Sequence, residues 1–452
     1  MAEDRTVEGR LGDYVATTSR PRPDVAHHAT RAVVDWFAAA AVGGDRPPAR
    51  ALRAALADER TGSARLVPDG APAGTRAAAL VNATAAHTAE VDDIFRDGVY
   101  HPGAPTIAAA LAVAQRDHAD GAALLDAVTT GVEVSTRVAA AVQPAHYRFW
   151  HTTGTVGTLG AAAAVARLAG ADATQAEHAL AHATTLAAGL QQAFRSDAMS
   201  KPLHAGHAAD AGTLAALGAR EGLTGAPGLL AGPRGFGAAM SADVDWDAAL
   251  ADLGERANIE AITFKNHTAC GHAFAPIDGA LELRERVGVR ADDVAEVEVA
   301  TYGAAIEVAG NPHPTTPFEA QFSIPFCVAS ALEGGSVRLR AFEPDRLTDE
   351  RIARLTDRIR LRTDADLDAA FPGRRGARVT ITTTDGRQEM VERTSRRGDP
   401  ESPLTDVELG DKFLELTEPV IGADAARTAL ATLWEVAGVA DVTALPLAGG
   451  RP

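Results

Sequence analysis

DVAHHATRAVVDWFAAAAVG, residues 24–43, decides the fold. It opens on an aspartate able to cap a helix N-terminus, carries apolar side chains at helical spacing, and stops at Gly43-Gly44 ahead of Pro47-Pro48. The pattern predicts a helix, and its alanines set the texture of the whole chain. Hydrophobic residues make up 46% of the 452 positions while aromatics make up 5%. Alanine has the best helix propensity and no side-chain entropy to lose, so a mostly α protein of closely packed helices is expected. The length suits two or three structural units and a large core.

Outward from this helix, the same periodicity predicts helices at 49–59, 74–93, 104–115, 121–142, 154–170, 172–192 and 203–221. Pro105 falls in the first turn of its helix, where a missing N–H costs nothing. The 74–93 helix would end on Glu90, Asp92 and Asp93, acids that oppose the helix dipole at a cost of about 0.3–1 kcal/mol each. Such a placement asks for a functional reason. Near residue 265 the texture changes. VAEVEVATY (294–302) alternates strictly, 378–384 pairs with 388–392 across Asp385-Gly386, 358–363 is a third alternating run, and 318–332 reads as a helix. Residues 266–397 are therefore expected to form a smaller α+β domain, and residues 1–265 with 398–452 a large helical one.

The net charge of -17 would repel phosphate backbones, so nucleic acid is not an expected partner. The same field does not draw in anionic ligands, which must be held by local cations. Two cysteines, Cys270 and Cys327, cannot build a disulfide framework, and the charged start MAEDRTVEGRLGDY is unlike a signal peptide. The longest apolar runs, such as 159–166, fall short of the roughly 18 residues that span a bilayer. A soluble, cytoplasmic protein without membrane contact is expected.

Two segments put ionisable groups beside small residues: His101-Pro102-Gly103, reached through Glu90-Val91-Asp92-Asp93, and Lys201-Pro202-Leu203-His204-Ala205-Gly206. In the second, a cation beside a helix N-terminus with small residues behind it makes a carboxylate site, against the plainer reading of a solvated lysine. His178 and His182 have the i, i+4 spacing of a zinc pair but lack the glutamate of H-E-x-x-H and a third ligand. A Walker loop and a dinucleotide fingerprint are absent. No metal and no cofactor are expected.

Read together, EVDD…HPG (90–103), GVEVSTRVAAAV (131–142), WHTTGTVGTLGAAAAVARLAG (150–170), KPLHAGHAADAGTLAALGAREGLTG (201–225), CGHAFAPIDGAL (270–281) and PFEAQFSIPFCVASAL (317–332) resemble the MmgE/PrpD family. The resemblance implies a helical domain built from both termini, a smaller α+β lid, a homodimer, and metal-free chemistry on small di- or tricarboxylates by dehydration, decarboxylation or epimerisation. It implies a site of Glu90, His101, His151, Lys201 and His272; His101, His151, His272 and Lys201 are expected to be catalytic, and Glu90, Asp93, Lys201, His204 and Cys270 to bind substrate. Two positions depart from the pattern. EVDDI stands where the decarboxylases resemble DFDDT, and Val308 stands near the place of their tyrosine, with Tyr302 the nearest phenol, so cis-aconitate is not the expected substrate. The alternative expectation is a catalytically silent relative that binds a carboxylate or serves in an assembly.

The bare chemistry agrees with the resemblance. Removing a proton next to a carboxylate needs a positioned base, an acid, and a cation to absorb charge, and imidazoles with a lysine supply these near neutral pH.

Overall fold

Residues 24–43 lie within one helix, α1 (Pro23–Gly44), buried all round from Ala29 to Gly44. The computed structural model describes residues 5–195, 198–288, 291–371 and 373–446. The chain divides into two compact units, Met1–Phe264 with Thr405–Pro452, and Lys265–Leu404.

In the first unit the helices that matter for the site are α2 (Thr75–Ala86), α3 (Gly103–Arg116), α4 (Gly121–Val142), α5 (Thr152–Leu168), α6 (Ala173–Leu186), α7 (Ser200–Arg220) and α8 (Asp406–Ile421). α7 packs on α2, α5 and α6, and α8 packs on α1. Small residues make this possible. A Cβ on Gly206 would lie 2.1 Å from Thr84 Oγ1 and 2.6 Å from the Leu80 carbonyl, so α2 and α7 meet almost backbone to backbone. α8 starts at a capping box in which Thr405 and Glu408 satisfy each other's backbone N–H groups.

Several element boundaries differ from the sequence reading, each for a local reason. α2 ends at Ala86, where the His87 and Thr88 N–H groups close back on Ala83 and Ala85. Glu90, Asp92 and Asp93 thus lie in the following loop, and the dipole cost expected of them does not arise. α7 begins at Ser200, so Lys201 belongs to its first turn and Pro202 sits where the missing N–H needs no partner. The 172–192 helix stops at Leu186 and is followed by a 3-10 turn, Gln191–Arg195. The 49–59 helix is Pro47–Ala55 with a separate turn after it. The 318–332 helix is two, Pro317–Gln321 and Ile324–Gly334, because Ser323 caps the second through Phe326 N–H.

The second unit is built on a four-stranded sheet in the order β2-β1-β3-β4, with β1 Val294–Thr301, β2 Ile359–Thr363, β3 Ala377–Thr383 and β4 Gln388–Arg393. β1 runs parallel to β2 and antiparallel to β3, with Val297 facing Ile381 and Val299 facing Val379. β3 alternates buried and partly exposed residues along its length. The helix Phe274–Val287 packs on β3 and β4. This unit extends to Leu404, past residue 397. There the buried Arg396 grips Asp399 through Nε (2.9 Å) and Nη2 (2.7 Å), and Arg397 N–H donates to Asp278 at 2.7 Å. Among the described residues no helix is long and apolar enough to cross a membrane.

Candidate active site

Four short connections in the first unit bring its chemistry together. The loop after α2 carries His87 and Glu90 to Asp93, the turn before α3 carries His101, the residue capping α5 is His151, and the first turn of α7 carries Lys201 and His204. His101 N–H donates to Thr153 Oγ1 at 3.2 Å, and His151 N–H donates to the Gly189 carbonyl at 3.0 Å, so neither position depends on its side chain.

Lys201 Nζ pairs with Glu90 Oε1 and lies 5.4 Å from the centroid of the Phe194 ring. Phe194 in turn meets the His151 imidazole edge to face at 4.8 Å. His151 Nδ1 lies 3.0 Å from His204 Nδ1. His87, buried beneath, stacks on His151 at 5.4 Å and meets His101 at 4.7 Å. Asp92 Oδ2 accepts from His87 Nδ1 at 2.7 Å. The same oxygen is 3.2 Å from His101 Nδ1, a Coulombic contact without hydrogen-bond alignment.

Burial and neighbours divide the protonation states. Burial lowers His87 to about 4 despite Asp92, and lowers His204 to about 4 as well. His151 is pushed well below the usual imidazole range by burial, then by His87 and Lys201. These three imidazoles are therefore neutral at pH 7. Burial opposes ionisation of Asp92, yet His101 and His87 outweigh it and hold this carboxyl well below the usual range. Asp93 goes the other way: burial, then Asp92 and Asp35, raise it well above that range. Both of its oxygens accept the Gly103 N–H, at 3.0 and 3.1 Å. A Cβ on Gly103 would fall 2.7 Å from Asp93 Oδ2, which is why glycine closes His-Pro-Gly. Beneath the loop, Lys412 of α8 reaches Asp35 at 2.5 Å and the Val91 carbonyl at 2.8 Å.

Of the residues singled out in the sequence, Glu90, His101, His151, Lys201 and His204 gather in this one neighbourhood, with Asp93 behind the His101 turn. His87, Asp92 and Phe194 join them without having been singled out as site residues. Their signal was weak, because a histidine five positions before an aspartate has no set meaning until the turn between them is known.

His272 and Cys270 belong to the second unit, where His272 Nδ1 bonds the Tyr302 hydroxyl at 2.7 Å. Tyr302 stacks on Phe371 at 4.6 Å. Burial, then Arg375 and Arg396, lower His272 to about 4, while burial raises Tyr302 to about 12. A protonated phenol beside a neutral imidazole donates to Nδ1, leaving the proton of His272 on Nε2. Cys270 N–H bonds the Gln321 carbonyl at 2.8 Å. Val308 is 49% exposed on a short helix, Gly303–Ala309.

Among the described residues, one group of three potential metal ligands lies close together, His87, Asp92 and His101, with ligand atoms within 4.8 Å of one another. Within this group Asp92 Oδ2 lies 2.7 Å from His87 Nδ1 and 3.2 Å from His101 Nδ1. His178 and His182 belong to no such group among these residues.

Residues 9–249 match the MmgE/PrpD N-terminal domain and residues 267–436 the MmgE/PrpD C-terminal domain. The chain belongs to the MmgE/PrpD family. Relatives include the cis-aconitate decarboxylase-like protein oryM of Aspergillus oryzae, 26% identical over 93% of this chain and 92% of that protein. The cis-aconitate decarboxylase of Mus musculus is 25% identical over 81% and 77% of the two chains, and that of Homo sapiens 25% over 81% and 78%. Both MmgE/PrpD domains are thus present, and the imidazole cluster with Lys201 falls within the N-terminal one.

Proposed function

We propose that this member of the MmgE/PrpD family is a lyase or isomerase that removes a proton next to a carboxylate of a small di- or tricarboxylate, using its own side chains. The observation that carries this reading is Lys201, a partly buried cation set beside neutral imidazoles. Lys201 anchors a substrate carboxylate. An imidazole takes the proton from the neighbouring carbon, and the electron pair left behind spreads onto the carboxylate, where the lysine charge balances it. Return of a proton to the opposite face gives epimerisation, and loss of a β-hydroxyl with a proton from an acid gives dehydration. Decarboxylation differs in breaking a carbon-carbon bond, with the acid protonating carbon. Relatives named as cis-aconitate decarboxylases support carboxylate lyase chemistry in general.

The roles fall to His101 and His151. Asp92 stands behind His101, its Oδ2 3.2 Å from Nδ1. His272 has an Nε2–H suited to donating a proton. Asp93 is left to hold the His-Pro-Gly turn. A homodimer is part of this reading, and light scattering would report it as twice the chain mass.

The deciding experiment is incubation in deuterated water with citrate, methylcitrate, aconitate, tartrate and amino-dicarboxylates. Deuterium should enter at least one compound, and His151→Ala or Lys201→Ala should suppress it. The proposal fails if no compound exchanges or reacts. Loss of activity on dialysis against a chelator, restored by zinc, would overturn the side-chain-only mechanism.

A further inference from the structure

In the second unit, the end of β1 and the start of β3 are locked together. Thr301 pairs with Ala377, and Thr301 Oγ1 donates to the Gly376 carbonyl at 2.9 Å. Tyr302, which follows Thr301, and Arg375, which precedes Gly376, are thereby set at the same end of the sheet. Tyr302 is buried, bonded to His272 and stacked on Phe371. After burial, the charge of Arg375 acts most on both His272 and Tyr302, ahead of that of Arg396.

Arg375 is a partly buried cation that the fold leaves without an anion. Its Nε is enclosed, and among the described residues its guanidinium makes neither a hydrogen bond nor an ion pair. Arg393, whose Nε is enclosed likewise, is paired with Glu282. Asp399, the carboxylate whose charge reaches Arg375, is gripped by Arg396 through two hydrogen bonds. Burial, then Arg396, lower Arg375 from its ordinary value, yet a guanidinium keeps its proton at pH 7. With Arg396 and Asp399 cancelling, one positive charge is left beside a neutral imidazole and a neutral phenol. Enclosing a charge without a partner costs stability, so a residue kept for the fold alone would be paired. Resting on the reading of the ligand as a small di- or tricarboxylate, we infer that Arg375 is a carboxylate-binding residue of the second unit, set beside the His272-Tyr302 pair. The planar fork of guanidinium N–H groups matches the two oxygens of one carboxylate. A single positive charge also balances a carboxylate better than a doubly charged phosphate.

Calorimetric titration of the whole protein with succinate tests this in the wild type, Arg375→Met and Arg375→Lys. Methionine keeps an apolar stem and drops the charge, and should weaken succinate at least about tenfold. Lysine keeps the charge without the fork, and should recover part of that loss. Urea unfolding gives the readout that a merely structural arginine would not. Without ligand, Arg375→Met should be at least as stable as the wild type, because an unpaired charge has been removed. Succinate should then raise the wild-type midpoint more than that of the variant. No binding of succinate to the wild type, unaltered affinity in Arg375→Met, or a ligand-free midpoint of that variant clearly below wild type overturns the inference. So does inorganic phosphate binding the wild type as tightly as succinate. A wild type that exchanges deuterium into its substrate while Arg375→Met binds succinate unaltered loses only the role of Arg375. Arg375-dependent succinate binding in a protein that exchanges deuterium into no compound removes the proton-abstraction reading and leaves the carboxylate site standing.

Discussion

His151 and His204 face each other through their Nδ1 atoms at 3.0 Å, so one ring carries its proton at Nδ1 and the other at Nε2. Both are neutral at pH 7, and the pair consequently presents one bare Nε2 and one Nε2–H. A base and a donor are set side by side by a single hydrogen bond. His151→Ala should lower kcat by roughly 10² to 10⁴ with a smaller effect on KM, as expected when a proton-transfer group is lost. Steady-state kinetics on whichever compound exchanges deuterium will check this. An equal rise in KM with unchanged kcat would assign His151 to binding instead.

Lys201→Ala should act on binding and turnover together. A charge-assisted hydrogen bond contributes about 1.5–3 kcal/mol, which corresponds to a loss of roughly 10- to 150-fold in kcat/KM. Lys201→Arg tests whether charge alone suffices, since a guanidinium keeps the charge but not the shape. Unaltered kcat/KM in Lys201→Ala would remove the lysine from the site.

Folding stability should fall as pH drops from 6.5 toward 4. His87 titrates near 4 when folded against its ordinary 6.5, so between those values the unfolded chain binds a proton that the folded chain refuses. That difference amounts to about 3 kcal/mol from His87 alone, and it is absent above pH 6.5. The depressed carboxyl of Asp92 acts in the same direction at lower pH, its stabilisation being present above the ordinary carboxylate range and lost as acid protonates it. Asp93, raised when folded, opposes both, because the folded chain keeps a proton that the unfolded one releases. Urea unfolding at a series of pH values will give the slope, and His87→Gln should flatten it by about one proton.

Lys412→Met should cost about 3–5 kcal/mol, because it leaves the buried Asp35 carboxylate without its ammonium. Asp35→Asn added to Lys412→Met should recover part of that loss. Urea denaturation of both variants will decide. A single variant as stable as wild type would show that the pair is not needed.

The fold class was legible because two periodicities dominate this sequence. Alanine-rich stretches repeat at helical spacing, and the runs read as strands lie within about a residue of the observed ends of β1, β3 and β4, although burial alternates regularly only along β3. Helix ends were less legible. α2 reads as continuing to residue 93 because nothing in Thr88-Ala89-Glu90 breaks a helix, and the break comes from backbone contacts and from a left-handed glutamate that local sequence does not announce. His101, His151, Lys201 and His204 could be named from the resemblance of their surrounding motifs. His87 and Asp92 could not, since their value lies in a pairing made by that same turn. Tyr302 was visible only as the nearest phenol to a missing one, and its bond to His272 follows from where β1 ends.

The clamp beneath the acid-bearing loop also imposes an order of events. Lys412 comes 321 residues after Val91, whose carbonyl it holds. Domains tend to fold as the ribosome delivers them, first part first. Here the loop with Glu90 and Asp92 emerges early but waits for its last support until the intervening unit and then α8 have been made. The nascent chain thus carries His87, His101, His151 and His204 long before this support can fix the loop beside them.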